Sequence, residues 1–217
     1  MKKIVLILTA AMAMYMTAIA QVRKASKEKM GFLIFTAGPA FPVGDFNSKN
    51  INNDQAGFAK TGFNLDLQGG YRLVKNFGIA GSILYSRYGI DSKLLNGTSA
   101  SVDHWQYYGV VVGPMITQSL SSKTFVDFNI MSGIVNANSP ELSYSGEVLV
   151  SEDWAVVVPI RLSGGLRYQF GQNGYLFSGL NYLYMEPKFK FTALGENREA
   201  HQKISAVSLN AGVGFRF

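Results

Sequence analysis

The last fifteen residues constrain the fold of this chain more than any other stretch. From Lys203 to Phe217, the residues Val207, Leu209, Ala211, Val213, Phe215 and Phe217 occupy one parity, and Ser208, Asn210, Gly212, Gly214 and Arg216 occupy the other. Side chains alternate faces along a strand, so one side here is continuously apolar and the other small or polar. The segment reads as an amphipathic β-strand that stops on an aromatic residue.

Seven earlier segments repeat the pattern, near residues 30–41, 60–73, 77–90, 104–118, 124–136, 154–170 and 175–190. Each is long enough to cross a bilayer, since a tilted membrane strand needs only ~9–11 residues. Alternation is cleanest in the second, fifth, sixth and eighth. In the second, Phe63, Leu65, Leu67, Tyr71 and Leu73 oppose Asn64, Asp66, Gln68 and Arg72. In the fifth, Val126, Phe128, Ile130 and Ile134 oppose Asp127 and Asn129. In the sixth, Trp154, Val156, Val158, Ile160, Leu162, Leu166, Tyr168 and Phe170 oppose Arg161, Ser163, Arg167 and Gln169. Strands one, three, four and seven are apolar on both parities in places, which leaves their facing open.

The connections alternate too. Those after strands two, four and six are short and turn-like: Val74-Lys75-Asn76, Ser119 to Lys123, and Gly171-Gln172-Asn173-Gly174. The others are polar and run to roughly ten to eighteen residues on this division. Tight turns at one end and longer loops at the other are what an up-and-down membrane barrel requires. Aromatics are expected as two girdles at the membrane–water boundaries. Phe77, Phe125, Tyr168, Phe170, Tyr175 and Phe217 lie at the turn ends, and Tyr85, Tyr88, Trp105, Tyr108, Trp154 and Tyr184 near the loop ends.

The first residues fit export. Lys2 and Lys3 precede an apolar run, Ile4 to Ala13, and Ala18-Ile19-Ala20 supplies an A-x-A cleavage site before Gln21. The expected division is a secretory signal peptide over 1–20, a periplasmic arm over 21–29 and one barrel domain over 30–217. There are no cysteines, so disulfides and thiolate metal sites are excluded. No later apolar run is long enough for a membrane-spanning helix. The formal charge of +6 includes Lys2 and Lys3, and no basic run of nucleic-acid-binding length occurs.

These features together resemble the small outer-membrane barrel superfamily of OmpA-like, OmpX-like and opacity-type domains, closest in flavour to the barrel-domain proteins of Bacteroidota. The resemblance is carried by the opening strand Gly31-Phe32-Leu33-Ile34-Phe35-Thr36-Ala37-Gly38-Pro39, by Phe41-Pro42-Val43-Gly44-Asp45-Phe46, and by the end Gly212-Val213-Gly214-Phe215-Arg216-Phe217. It implies an all-β fold: an eight-stranded antiparallel up-and-down transmembrane β-barrel in the bacterial outer membrane. It also implies that Phe215 and Phe217 are read by the barrel-assembly machinery. The superfamily shares no catalytic set, so the resemblance supplies no active site.

Side chains fill the lumen of an eight-stranded barrel. The clean strands send Asp66, Asp127, Arg161, Arg167 and Arg216 inward, with Arg72 expected to reach periplasmic water. Charges removed from water need close partners, so Asp66 and Asp127 are expected to pair with some of Arg161, Arg167 and Arg216. Such a network plugs the lumen and fixes strand facing; a narrow ion path is the alternative. Asp45, Asp54, Asp91, Asp103, Glu141, Glu147, Glu152, Asp153, Glu196 and Glu199 fall in or beside the long loops, with only Lys49, Lys93 and Arg198 comparably placed. Such a rim attracts divalent cations or a basic partner, or simply keeps neighbouring barrels apart.

Catalysis would need a base beside a nucleophile. His104 lies near Asp103, with Asp91-Ser92 across the same loop; His201 lies near Glu199 and Ser205. His201 is followed two places on by Lys203, unlike the His-x-Ser of lipid A deacylases, and the first long loop lacks the His of the palmitoyltransferases. Gly212-Val213-Gly214 is not followed by the helix a phosphate loop needs, and Asn96-Gly97-Thr98 reads as a turn. The expectation is a non-enzymatic monomer without cofactor. It meets outer-membrane lipid and lipopolysaccharide, not nucleic acid. Its role is envelope integrity or adhesion through outer loops whose ligand the sequence does not name. Passage of ions or small solutes, or service in a secretion or assembly system, are the alternatives, and lipid A modification is a remote one.

Overall fold

The computed structural model describes residues 31–91, 100–144, 147–151, 153–193 and 196–217. The leader and arm, Ser92, Lys93, Asn96-Gly97-Thr98 and Glu152 lie outside the described residues, as do the side chains of Glu147, Glu196 and Arg198.

Among the described residues fourteen strands form: β1 (Gly31–Pro42), β2 (Ala59–Arg72), β3 (Phe77–Ile90), β4 (Ala100–Val102), β5 (Trp105–Ser119), β6 (Thr124–Asn138), β7 (Leu142–Tyr144), β8 (Glu147–Val150), β9 (Trp154–Val157), β10 (Ile160–Phe170), β11 (Gly174–Met185), β12 (Lys188–Ala193), β13 (Glu196–His201) and β14 (Ile204–Arg216). Eight staves, with β9 and β10 forming a single one, pair antiparallel in the order β1-β2-β3-β5-β6-β9/β10-β11-β14. Pairing of β14 with β1 closes the cylinder. Following partners from Leu33 through Gly69, Gly81, Val112, Ser132, Ile160, Tyr184 and Ser205 leads round to Val43, not back to Leu33. That stagger is what tilted strands need to close.

The expected strand positions hold to within about two residues for seven staves, and the alternation fails only where both faces are apolar. On β1, Phe32, Ile34, Thr36 and Ala40 face in while Phe35 and Phe41 face out. On β3, Ala80, Ser82, Leu84, Ser86 and Tyr88 face in against outward Phe77, Ile79 and Ile83. On β5, Trp105, Tyr107, Val111, Met115 and Thr117 face in; on β11, Tyr175, Phe177, Asn181, Leu183 and Met185 do. The interior is thus partly apolar, and this is why parity alone does not assign these strands. The outer surface is a continuous band of Phe, Ile, Leu and Val, among them Ile83, Val110, Ile134, Leu180 and Val213.

Small residues let the large ones turn inward. A Cβ on Gly70 would strike the Phe32 ring, and one on Gly165 the Phe177 ring. The seventh segment is the main departure in length. β11 ends at Met185, and β12 and β13 continue it as a hairpin in unbroken register with β11 and β14, Lys188 opposite His201 and Met185 opposite Ile204. β4 and β7 extend the β5–β6 ladder in the same way. A five-stranded sheet, β13-β12-β8-β7-β4, therefore stands at the loop end.

On the β1–β3 side the loop turns inward instead. A short 3-10 turn, Gly44–Asn47, buries Phe46 completely. Phe58 returns the chain with φ of +50°, a left-handed conformation that costs a bulky residue about 1–3 kcal/mol. It is held by N–H donation to Ser48 O at 3.1 Å and by accepting the Asp91 N–H at 2.8 Å.

Candidate functional site

The lumen carries two charged storeys. In the one nearer the tight turns, β6 supplies Asp127 and β10 supplies Arg167, placed side by side by the β6–β10 register. Arg167 donates to Asp127 through both Nε and Nη2, the latter at 2.8 Å, and Thr117 Oγ1 donates to Asp127 Oδ1 at 2.7 Å. The flat faces of the guanidinium are covered by rings: Phe32 at 3.9 Å, Tyr175 at 5.0 Å and Phe125 at 5.4 Å from its central carbon. In the other storey Asp66 from β2 meets Arg161 from β10 across the lumen. Ser82 links them, donating to Asp66 and accepting from Arg161 Nη1 at 2.6 Å. All four charged residues are buried.

Arg216 belongs to neither pair. Parity sends it inward, but its height puts it at the turn end, where it donates to Gln172 O at 2.9 Å and Gln169 Oε1 at 3.2 Å. Above the charged storeys an amide network runs Asn210 to Asn64 at 2.6 Å and Asn64 to Ser86 at 2.9 Å. It leads to Tyr88 and Tyr107, whose hydroxyls lie 2.9 Å apart.

Over this sits an aromatic cap that the girdle expectation misplaces. The girdle pattern puts Tyr88 and Trp105 at the lipid boundary. Both are instead buried, packing edge-on against Phe46 at 5.2 and 5.6 Å, and Trp105 meets Phe189 at 5.9 Å. Trp105 Nε1 donates to Gly57 O at 2.9 Å, which ties the inward loop to the barrel. Phe125 and Tyr175 also face inward, beside Arg167. Parity carries this signal: Trp105 and Tyr108 lie on opposite parities, as do Tyr85 and Tyr88. Exposed rings remain at both ends, with Phe77, Tyr168, Phe170 and Phe217 at the turn end and Tyr108 and Trp154 at the loop end.

The rim is not the bare acidic band that counting suggests. Asp91 is buried between Lys49 at 2.5 Å and Lys60 at 3.2 Å. Asp45 accepts from Asn53 at 3.1 Å and lies 3.8 Å from Lys203, and Glu199 lies 3.6 Å from Lys190. Asp103 Oδ1 is 2.9 Å from His104 Nδ1, which also lies 3.1 Å from Arg87; the bond with His104 holds the Asp103 carboxyl below its ordinary value. Lys188 and Lys190 escape the count because the expected seventh strand runs through them. Among the described residues no three His, Asp or Glu side chains are grouped to hold a metal. His201 faces Glu186 at 3.8 Å, while Ser205 is buried with its hydroxyl toward Val43 O.

The chain's last residue is zipped to its first described one. Gly31 N–H donates to Phe217 O and Phe217 N–H to Gly31 O, both at 3.0 Å. The Phe215 and Phe217 rings lie 6.2 Å apart on the outer surface. Gly212 and Gly214 sit where a Cβ would strike the β1 backbone, so their role is close strand approach.

No family model and no curated protein matches the chain. Solved structures do. Neisserial surface protein A aligns with a TM-score of 0.54 at 16% identity, over 86% of this chain and 97% of that one. A major outer membrane protein from Thermus thermophilus aligns with a TM-score of 0.52 at 11% identity, over 86% and 99%. At these identities the likeness is one of architecture: the chain has the fold of the small eight-stranded outer-membrane β-barrels.

Proposed function

We propose that this chain is an integral protein of the bacterial outer membrane, exported with a cleaved signal peptide, and that it acts without catalysis in envelope integrity or surface adhesion. The observation that carries this is the inversion of the molecule. Its outer wall is apolar all round, while its buried charges are matched in pairs inside. Water-facing proteins bury their greasy face; this one presents it to a solvent as apolar as itself. The tight turns then lie in the periplasm and the five-stranded sheet outside, available to a partner. The exposed Phe215 and Phe217 support a role in recognition by the barrel-assembly machinery. The finer likeness to Bacteroidota barrels is carried by the opening strand, the Phe41-Pro42-Val43-Gly44-Asp45-Phe46 segment and the closing strand.

Passage through the lumen is disfavoured by the two ion pairs and the aromatic cap stacked in its path. In a planar bilayer the refolded protein is expected to show no steady unitary conductance; a steady one overturns the plugged lumen and favours the pore. Catalysis is disfavoured because His104 and His201 contact carboxylates and an arginine, not a hydroxyl nucleophile, among the described residues. Mass spectra of lipid A from cells with and without the protein should coincide. A second reading, as a component of a secretion or assembly system, is favoured by the edges of the loop-end sheet. Among the described residues β4 and β13 are the edge strands of that sheet, the positions at which strand addition takes place. Secretion genes beside this one would promote that reading.

A further inference from the structure

Among the described residues the barrel wall parts between β9 and β12. From Ile160–Tyr184 down to the turn, β10 and β11 pair without a break. Toward the loop end, the next residues of the two staves, 153–158 and 186–190, form no ladder; the backbone link between them is Lys190 N–H donating to the Asp153 carboxylate at 2.6 Å. Pro159 and Pro187 stand at the foot of the seam, one on either side. The strands part around a groove of about 480 Å³, lined by Asp153 to Val158 on one side and Glu186, Lys188 and Lys190 on the other.

The two walls of this groove differ in kind at the same height. Val156 is 74% exposed and Val158 69%, with Trp154 above them. Across the gap the exposed residues are Glu186, Lys188 and Lys190. The carboxylates have hydrogen-bond donors of their own: Asp153 accepts the Lys190 N–H, and Glu186 accepts from the Tyr184 hydroxyl at 3.2 Å. What remains on offer is a valine strip and two ammonium groups on flexible stems. Among the described residues the Lys190 ammonium has a loose, solvent-exposed contact with Glu199 at 3.6 Å, which a stronger anion displaces. Trp154 and Tyr108, 5.6 Å apart, mark this level as the boundary where amphipathic rings collect.

We propose that the seam is a binding groove for an anionic, phosphate-bearing lipid of the surrounding outer leaflet. The acyl chain lies along Val156 and Val158, and the phosphate reaches Lys188 and Lys190. This rests on the outer-membrane reading above. A neutral lipid fills the same strip but brings no net counter-charge to the two ammoniums, and a free anion in water lacks the chain that the valines desolvate.

Trp154 reports on the groove directly. The chain has two tryptophans, and the other, Trp105, is buried in the cap. The full protein carrying Trp105→Phe is refolded into phosphatidylcholine vesicles doped with phosphatidic acid or phosphatidylcholine brominated near the carboxyl end of the chain. The brominated phosphatidic acid is expected to quench Trp154 with about fivefold stronger apparent association than brominated phosphatidylcholine. Reversing both lysines (Lys188→Glu with Lys190→Glu) should abolish the preference, while Lys123→Glu at the opposite end should not. Equal quenching by the two lipids, or a preference that survives the double reversal, overturns the groove and leaves the membrane reading standing. Failure of the protein to insert, read as emission unchanged by any brominated lipid, overturns both.

Discussion

The lumen and the rim treat charge in opposite ways. In the lumen Asp66 and Asp127 each have a dedicated arginine, a hydroxyl donor, and almost no access to water. At the rim, Asp103 and Glu199 meet His104 and Lys190 at longer range and with both partners largely in solvent. A buried pair is nearly indifferent as a pair and very costly when halved, because the survivor stays desolvated. An exposed pair contributes little in either state. The barrel therefore uses its inner charges to fix which parity faces in, and its outer ones to remain solvated.

Halving a lumen pair tests this hardest. Arg161→Ala or Arg167→Ala is expected to destabilise the refolded barrel by about 3–5 kcal/mol, read from urea titration in vesicles. Replacing both members, as in Asp127→Leu with Arg167→Met, should restore stability to within about 1 kcal/mol of the starting protein or better. If the double replacement is as damaging as the single one, the pair is not the unit. Next in size is Asp91→Asn, which sits between the two regimes: its carboxylate is buried but its lysines reach water. A loss of about 1–2 kcal/mol is expected there. Removing the hydroxyl that links the upper pair, Ser82→Ala, should cost about 1 kcal/mol.

The smallest effect belongs to Asp103. Its carboxyl is held below its ordinary value by His104, so any contribution is present above the unfolded-state pKa and is lost as pH falls through the lower folded value. Because the side chain is half exposed, Asp103→Asn should remove at most about 0.5 kcal/mol near neutral pH, and nothing in strong acid. A loss as large as that of a lumen variant would erase the distinction between the two regions.

The staves were legible because a strand with an apolar outer face and polar groups on the inner one writes its facing into parity, as in Val126 to Ile134. Facing was illegible where Phe32, Ile34, Leu84, Met115 and Phe177 make the inside greasy as well. Arg216 shows a second limit: parity states the side of the wall but not the height, and height decides between an ion pair and the mouth at the turn end. The cap was hidden because Phe46 reaches Trp105 and Tyr88 through a loop fold, which no period reports. The loop-end strands were hidden because segments such as Glu196–His201 are polar on both parities, with Ala200 the one apolar residue.

The mutual bonds between Gly31 and Phe217 have a kinetic consequence. They join the most distant positions of the described chain, so this latch spans the greatest sequence separation among the described residues. Until it engages, the growing wall has two raw margins able to pair with a neighbour's. Whatever hastens the meeting of those two strands shortens the interval in which copies can tangle.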